Sequence, residues 1–205
     1  MNYSQNNEQD IILDYFKNKP HCTFLDIGAN DGETFSNTRA LALNGWPGVC
    51  IEPGLAAFEK LKILYPESNP VECFNIAITR SDGPIVLHES DSIYSSDVGL
   101  LSSCIFAETL KWKHETTFSD TVALGVSWNT FLKEFRNDLF DFISIDAEGM
   151  DLEILFQMDL KGLECQLLCI EWGGDLAKKS AIQNYVLEFG MKEINCNPTN
   201  VFYGL

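Results

Sequence analysis

Apolar residues in this chain fall into short runs of strand length that alternate with segments of helical period. Residues 22–28 (CTFLDIG), 48–53 (GVCIEP), 71–78 (VECFNIAI), 140–146 (FDFISID) and 165–172 (CQLLCIEW) read as strands. Residues 33–44, 55–65, 127–135, 150–158 and 176–189 read as helices, with Phe58, Leu61 and Leu64 marking one helical face. PIVLHES, residues 84–90, follows an Asp82-Gly83 turn and reads as an extended edge piece. Residues 90–125 break the rhythm: they are rich in Ser and Thr and have no clean period, so they read as an excursion over one end of the sheet. The last two extended pieces, 191–196 and 200–205, are joined by NPTN, which is too short for a crossover and makes them antiparallel. The pattern predicts an α/β three-layer sandwich. Its sheet has seven strands, mostly parallel, with one antiparallel strand near the C-terminus.

At 205 residues, without an internal repeat or a linker, one domain is expected, with residues 1–20 as an N-terminal helical extension. Hydrophobic residues make up 45%, which excludes a disordered or fibrous chain. The net charge of −16, with no basic cluster against it, disfavours nucleic acid and anionic membranes as partners. The polar start MNYSQNNEQD does not have the form of a secretory signal, and no apolar run is long enough to span a bilayer. Seven scattered cysteines read as core thiols of a reducing, cytoplasmic compartment; Cys165 and Cys169 have no second pair to complete a metal site.

Four strand-like runs close on a carboxylate: Asp26, Glu52, Asp146 and Glu171. In a doubly wound sheet such residues emerge on one rim, where ligands bind. Gly28 and Gly32 let backbone approach a ligand and enter a helix sharply. A dinucleotide fingerprint places glycine where this chain has Asn30 and Glu33, so pyrophosphate is poorly served. Asp26 instead favours a ligand with a cationic or neutral centre. S-adenosylmethionine suits that field, and Glu52 stands where a carboxylate takes ribose hydroxyls. The bland reading of DIGANDG is a tight strand-to-helix turn.

FLDIGANDGETFSNT, GWPGVCIEP, NIAITRSDG, FDFISIDAEGMDLEIL and LLCIEWG together resemble, in order and wording, the FkbM family of S-adenosylmethionine-dependent methyltransferases. The resemblance runs from about Thr23 to Tyr203. It implies a class I, Rossmann-like methyltransferase fold, S-adenosylmethionine as cofactor, and methyl transfer to a hydroxyl of a sugar or similar acceptor. Carried over by residue, it implies cofactor contacts at Asp26, Gly28, Asn30, Gly32, Glu52, Ala77 and Asp146. It also implies a serine pair, Ser102 and Ser103, near the substrate.

Methyl transfer to a hydroxyl needs the acceptor oxygen held in line and its proton removed. Asp146 is the candidate base, with Glu171 beside it, and Glu148 either joins them or caps the following helix. A divalent metal held by Asp146, Glu148 and Glu171 is the weaker alternative. Trp172 is the preferred aromatic wall for a sugar, ahead of Trp112 and Trp128. His88 and His114 are further candidate bases, each read more simply as a surface histidine, and His21 reads as a surface histidine. The leading function is O-methylation of a sugar or glycan hydroxyl. The alternatives are a small-metabolite or N-methyltransferase, and a catalytically silent cofactor-binding module.

Overall fold

A computed structural model describes residues 1–19, 21–92, 99–134 and 139–205. Pro20 of the expected extension, residues 93–98 of the expected excursion, and Phe135 of the expected 127–135 helix lie outside the described residues.

The main sheet has the order β3-β2-β1-β7-β8-β10-β9. Its strands are β1 (Phe24–Ile27), β2 (Gly48–Ile51), β3 (Val71–Phe74), β7 (Phe142–Ile145), β8 (Leu167–Glu171), β9 (Lys192–Cys196) and β10 (Asn200–Gly204). All pairings are parallel except those of β10, which runs against both β8 and β9. The chain therefore forms the seven-stranded sheet expected from its pattern, with one reversed strand.

Both faces of this sheet are apolar, and side chains alternate between them. Leu25, Ile27, Val49, Ile51, Ile143, Ile145, Leu168 and Ile170 point into one core, against α5 (Trp128–Glu134), α6 (Asp151–Leu155) and α7 (Leu176–Leu187). Phe24, Cys50, Phe142, Leu167, Cys169 and Phe202 point into the other, against α1 (Glu8–Tyr15), α2 (Arg39–Leu43) and α3 (Leu55–Leu64). Cys165 and Cys169 belong to opposite cores, so they form no pair.

Several expected elements differ. The run 71–78 is not one strand. Asn75 turns the chain out of the sheet, its side-chain amide donating to the carbonyls of Glu52 (2.9 Å) and Pro53 (3.0 Å). β4 (Ala77–Thr79) then joins a second, three-stranded sheet of order β4-β6-β5. PIVLHES is an edge strand as expected, β5 (Gly83–Ser90), but it belongs to that small sheet. The excursion also contains regular structure: α4 (Phe106–Trp112) and the long β6 (Phe118–Ser127), whose residues 118–125 run antiparallel to all of β5.

The helix expected over 33–44 shrinks to α2. Asp31 takes the N–H groups of Glu33 (2.9 Å) and Thr34 (2.7 Å), and Ser36 Oγ takes that of Arg39 (3.0 Å), so local side-chain bonds replace helical ones until residue 39. The helix expected over 150–158 shrinks likewise to α6.

Candidate active site

A cavity of about 810 Å³ opens beyond the carboxyl ends of β1, β2, β7 and β8. It is near the top of the roughly 300–1,000 Å³ range of small-molecule sites. At its floor, Gly28 (φ 85°) lies so close to β7 that a Cβ there would sit 1.8 Å from the carbonyl oxygen of Asp146. The chain then turns at Asn30 (φ 48°), whose N–H donates to Glu52 Oε2 at 2.9 Å. Gly54 N–H donates to Glu52 Oε1 at 2.7 Å. Each carboxylate oxygen keeps a further lone pair for a ligand hydroxyl. Burial pushes Glu52 up to about 7, against the pull of those two backbone donors.

Asp26 faces the α2 side, in register with Ser144. It accepts from Thr38 Oγ1 at 2.6 Å, and burial pushes it up to about 6 in spite of that bond. Beside it, Asn37 donates to Ser144 Oγ at 3.2 Å while its own buried side-chain oxygen has no partner among the described residues. Asn200, at the far wall, likewise has a buried side-chain oxygen with no partner among the described residues.

The opposite side is a carboxylate cluster. Asp146, Asp151 and Glu171 offer oxygens that all lie within 4.8 Å of one another. Lys178 Nζ sits among them, 2.7 Å from Asp151 and 2.8 Å from Glu171. Asp151 is fully buried and also takes the N–H groups of Ala147 (2.9 Å) and Gly149 (3.2 Å). It is Asp151, and not Glu148, that organises the start of α6, which corrects the helix-cap reading of Glu148.

Asp146 has no hydrogen-bond partner for its carboxylate among the described residues. Burial, then Glu171 and Asp151, hold it well above the usual carboxylate range, with Lys178 pulling it back. Glu148 (φ 43°) is raised well above its ordinary value by burial and then by Asp146. Burial and Asp151 raise Glu171, and Lys178 opposes them. For Lys178 itself, burial pulls the ammonium down, but the Asp151 and Glu171 carboxylates outweigh it and hold it above its ordinary value.

The cavity thus brings together Asp26, Gly28, Asn30, Glu52, Ala77, Ser102, Asp146, Glu148, Glu171 and Trp172. Two expected residues fall elsewhere. A Cβ on Gly32 would meet Leu61 Cδ1 at 2.6 Å, so this glycine seats the loop on α3 rather than facing a ligand. Ser103 is buried and donates to the carbonyl of Glu148 at 2.6 Å, tying the 99–105 loop to the turn after β7. Trp172 is fixed by its indole N–H bond to the Asn197 carbonyl at 2.8 Å. Trp112 also lines the cavity, whereas Trp128 is core, stacked on Phe131. His88 pairs with Asp120 at 2.5 Å, and neither it nor His114 reaches the cavity wall.

Sequence reasoning missed Thr38, Asn37, Asp151, Lys178 and the N-terminal Glu8, which also lines the cavity. Lys178 carried a signal. It stands in the first turn of α7, just after the capping Asp175, where the helix dipole disfavours a cation.

The donor set tests which ligand fits. Lys111 and Lys178 both line the wall, and both are already paired with carboxylates: Lys111 with Glu108, Lys178 with Asp151 and Glu171. A pyrophosphate would find no unpaired lysine among the described residues of that wall. An ammonium and sulfonium find carboxylates and the vacant Asn37 oxygen, and a ribose finds Glu52. These residues fit S-adenosylmethionine. The metal reading fares differently: Glu148 is outside the cluster, and the Lys178 ammonium stands where a cation would sit.

A doubly wound sheet with one reversed strand, and an acidic cavity at its carboxyl rim, is the architecture of class I methyltransferases. Solved structures share the fold. A putative caffeoyl-CoA O-methyltransferase from Staphylococcus aureus superposes with a TM-score of 0.53 at 11% identity, covering 98% of this chain and 84% of that one. Precorrin-6y C5,15-methyltransferase from Geobacter metallireducens GS-15 gives 0.50 at 8% identity, covering 98% and 92%. Monomeric WbdD gives 0.52 at 11%, and there this chain spans only 41% of the larger protein. No curated protein matches in sequence. Residues 26–190 match the methyltransferase FkbM domain, and the chain belongs to that family of S-adenosylmethionine-dependent methyltransferases. Its acceptor is a small molecule or a macromolecule. Among the described residues no helix is long and apolar enough to cross a membrane.

Proposed function

We propose that the chain methylates a hydroxyl of a sugar or glycan in a reducing, cytoplasmic compartment, with Asp146 as the base. The observation that carries this reading is the unpartnered carboxylate of Asp146 at the end of β7, inside the cavity and held well above the usual carboxylate range. A hydroxyl can donate to it, and it can take the proton as the carbon–oxygen bond forms. The bound cofactor supplies the electrophilic methyl group. Asp26, Gly28, Asn30, Glu52 and Ala77 hold that cofactor, and Glu148 and Glu171 stand beside Asp146 at the acceptor side. Trp112 and Trp172, with Ser102 on the same wall, supply flat apolar faces and a hydroxyl-binding group of the kind sugars need. Seven free cysteines suit a reducing compartment.

The test is transfer of labelled methyl from S-adenosylmethionine to a panel of sugars, oligosaccharides, amines and small phenols. Sugar hydroxyls should be the labelled product. Asp146→Asn should leave S-adenosylhomocysteine affinity nearly intact by calorimetry while turnover falls roughly 100-fold. Exclusive labelling of amines, or near-normal turnover in the Asn variant, overturns the reading. No turnover on any class would favour a silent cofactor-binding module.

A further inference from the structure

Three carboxylates whose oxygens lie within 4.8 Å of one another raise the question of which of them is left to react. Asp151 and Glu171 each accept from Lys178, at 2.7 and 2.8 Å, and Asp151 is further fixed by two backbone N–H groups. Asp146 accepts none of these bonds. The lysine side chain is only 15% exposed, and it is aimed by its helix: Asp175 caps α7 by accepting from the N–H groups of Ala177 (2.8 Å) and Lys178 itself (3.1 Å). The ammonium therefore links the end of β8, the start of α6 and the start of α7 directly beneath the end of β7.

We propose that Lys178 is a positioning residue for methyl transfer: its ammonium holds Asp151 and Glu171 as a fixed anionic pair and leaves Asp146 as the carboxylate that faces the acceptor. This rests on the reading of Asp146 as the base. The groups that act on Asp146 come from every side. They are Glu171 from β8, Asp151 and Glu148 from the turn into α6, Asp26 from β1, and Lys178 from α7. Lys178 is the cation among them, so removing it makes Asp146 harder to ionise.

The test is the pH profile of kcat/KM for Lys178→Met and Lys178→Arg. In the Met variant the acid limb should move upward by roughly one pH unit or more, a tenfold loss at a fixed pH on that limb, with activity recovering at higher pH. Lys178→Arg should restore the position of the limb. A merely structural lysine would instead scale activity down equally at every pH, and that result, or an unmoved limb, overturns the proposal. If the Met variant does not fold, as judged by S-adenosylhomocysteine binding, Glu171→Gln carries the test. It removes a neighbouring negative charge and should move the limb downward, and an unmoved limb there also overturns it. Failure of this idea and of the parent reading remain distinct. An active Asp146→Asn enzyme removes the base, whereas an inactive one with an unmoved limb in Lys178→Met removes only the role of the lysine.

Discussion

Glu52 shows how a single buried side chain couples the cofactor site to pH. Its carboxylate is held by two backbone donors, yet burial raises it from an ordinary 4.5 to about 7. A raised acid binds its proton more tightly in the folded state, so the burial penalty accrues as pH rises from 4.5 towards 7 and is constant above that. A ligand whose ribose hydroxyls donate to the ionised carboxylate has the opposite preference, so binding should expel the proton. Calorimetry of S-adenosylhomocysteine binding at pH 6.5, in buffers of different ionisation enthalpy, should therefore show net proton release. The release should disappear in Glu52→Gln, with affinity weaker by roughly 1.5–3 kcal/mol, the scale of hydrogen bonds to a charged group. Equal heats across buffers would place the ribose elsewhere.

Between elements, the decisive contact is the meeting of β1 and β7 at Gly28. An alanine methyl there would lie 1.8 Å from the carbonyl oxygen of Asp146, a backbone atom directly after β7 whose residue is tied to β1 by its N–H bond to the Ile27 carbonyl (3.0 Å), so it cannot swing aside. Gly32 also has positive φ, but its methyl would press on the movable ends of Leu61 and Leu64. Gly28→Ala should consequently prevent folding or cost over about 4 kcal/mol. Gly32→Ala should cost roughly 1–2 kcal/mol, mostly backbone strain. Urea unfolding of the two variants checks the contrast, and equal losses would refute it. The glycines themselves were legible in the sequence, as were the strands whose two faces are both apolar, because continuous hydrophobic runs bounded by carboxylates have few other readings. β6 was not legible. It turns Val122 and Leu124 outward, 78% and 50% exposed, and its small Thr121 and Ala123 to the other face, the inverse of the usual pattern. The β3–β4 break was hidden for a different reason: a single amide, Asn75, ends an apolar run that the pattern alone would continue.

At the scale of the whole molecule, the cavity is closed by parts of the chain that are far apart in sequence. Glu8, in the first turn of α1, is fully buried and lines the cavity. It accepts from Asn6 N–H at 2.6 Å, from Asn197 Nδ2 at 2.8 Å and from Asn200 Nδ2 at 3.1 Å. It therefore ties the N-terminal segment to the turn between β9 and β10. Nothing in the composition marked it, since an acid near a helix start is ordinarily explained by the dipole alone. Burial raises its carboxyl, but the bonds from Asn6, its own N–H, Asn200 and Asn197 outweigh that and leave it below 4.5. The sign follows. With a folded value below the unfolded one, the tie is fully present above pH 4.5 and is lost as pH falls through the folded value. Glu8→Gln should destabilise the protein by about 1–3 kcal/mol at pH 7, because it sets an amide against two amide donors. The difference from the parent should shrink at pH 3.5, below the ordinary value of 4.5, where the unfolded parent takes up a proton that the folded carboxylate resists. Urea unfolding at these two values, on either side of the pI of 4.4, measures both quantities while avoiding the point of least solubility. A penalty equal at both pH values would mean that Glu8 acts through packing, and that the two ends of the chain are held together by something other than this carboxylate.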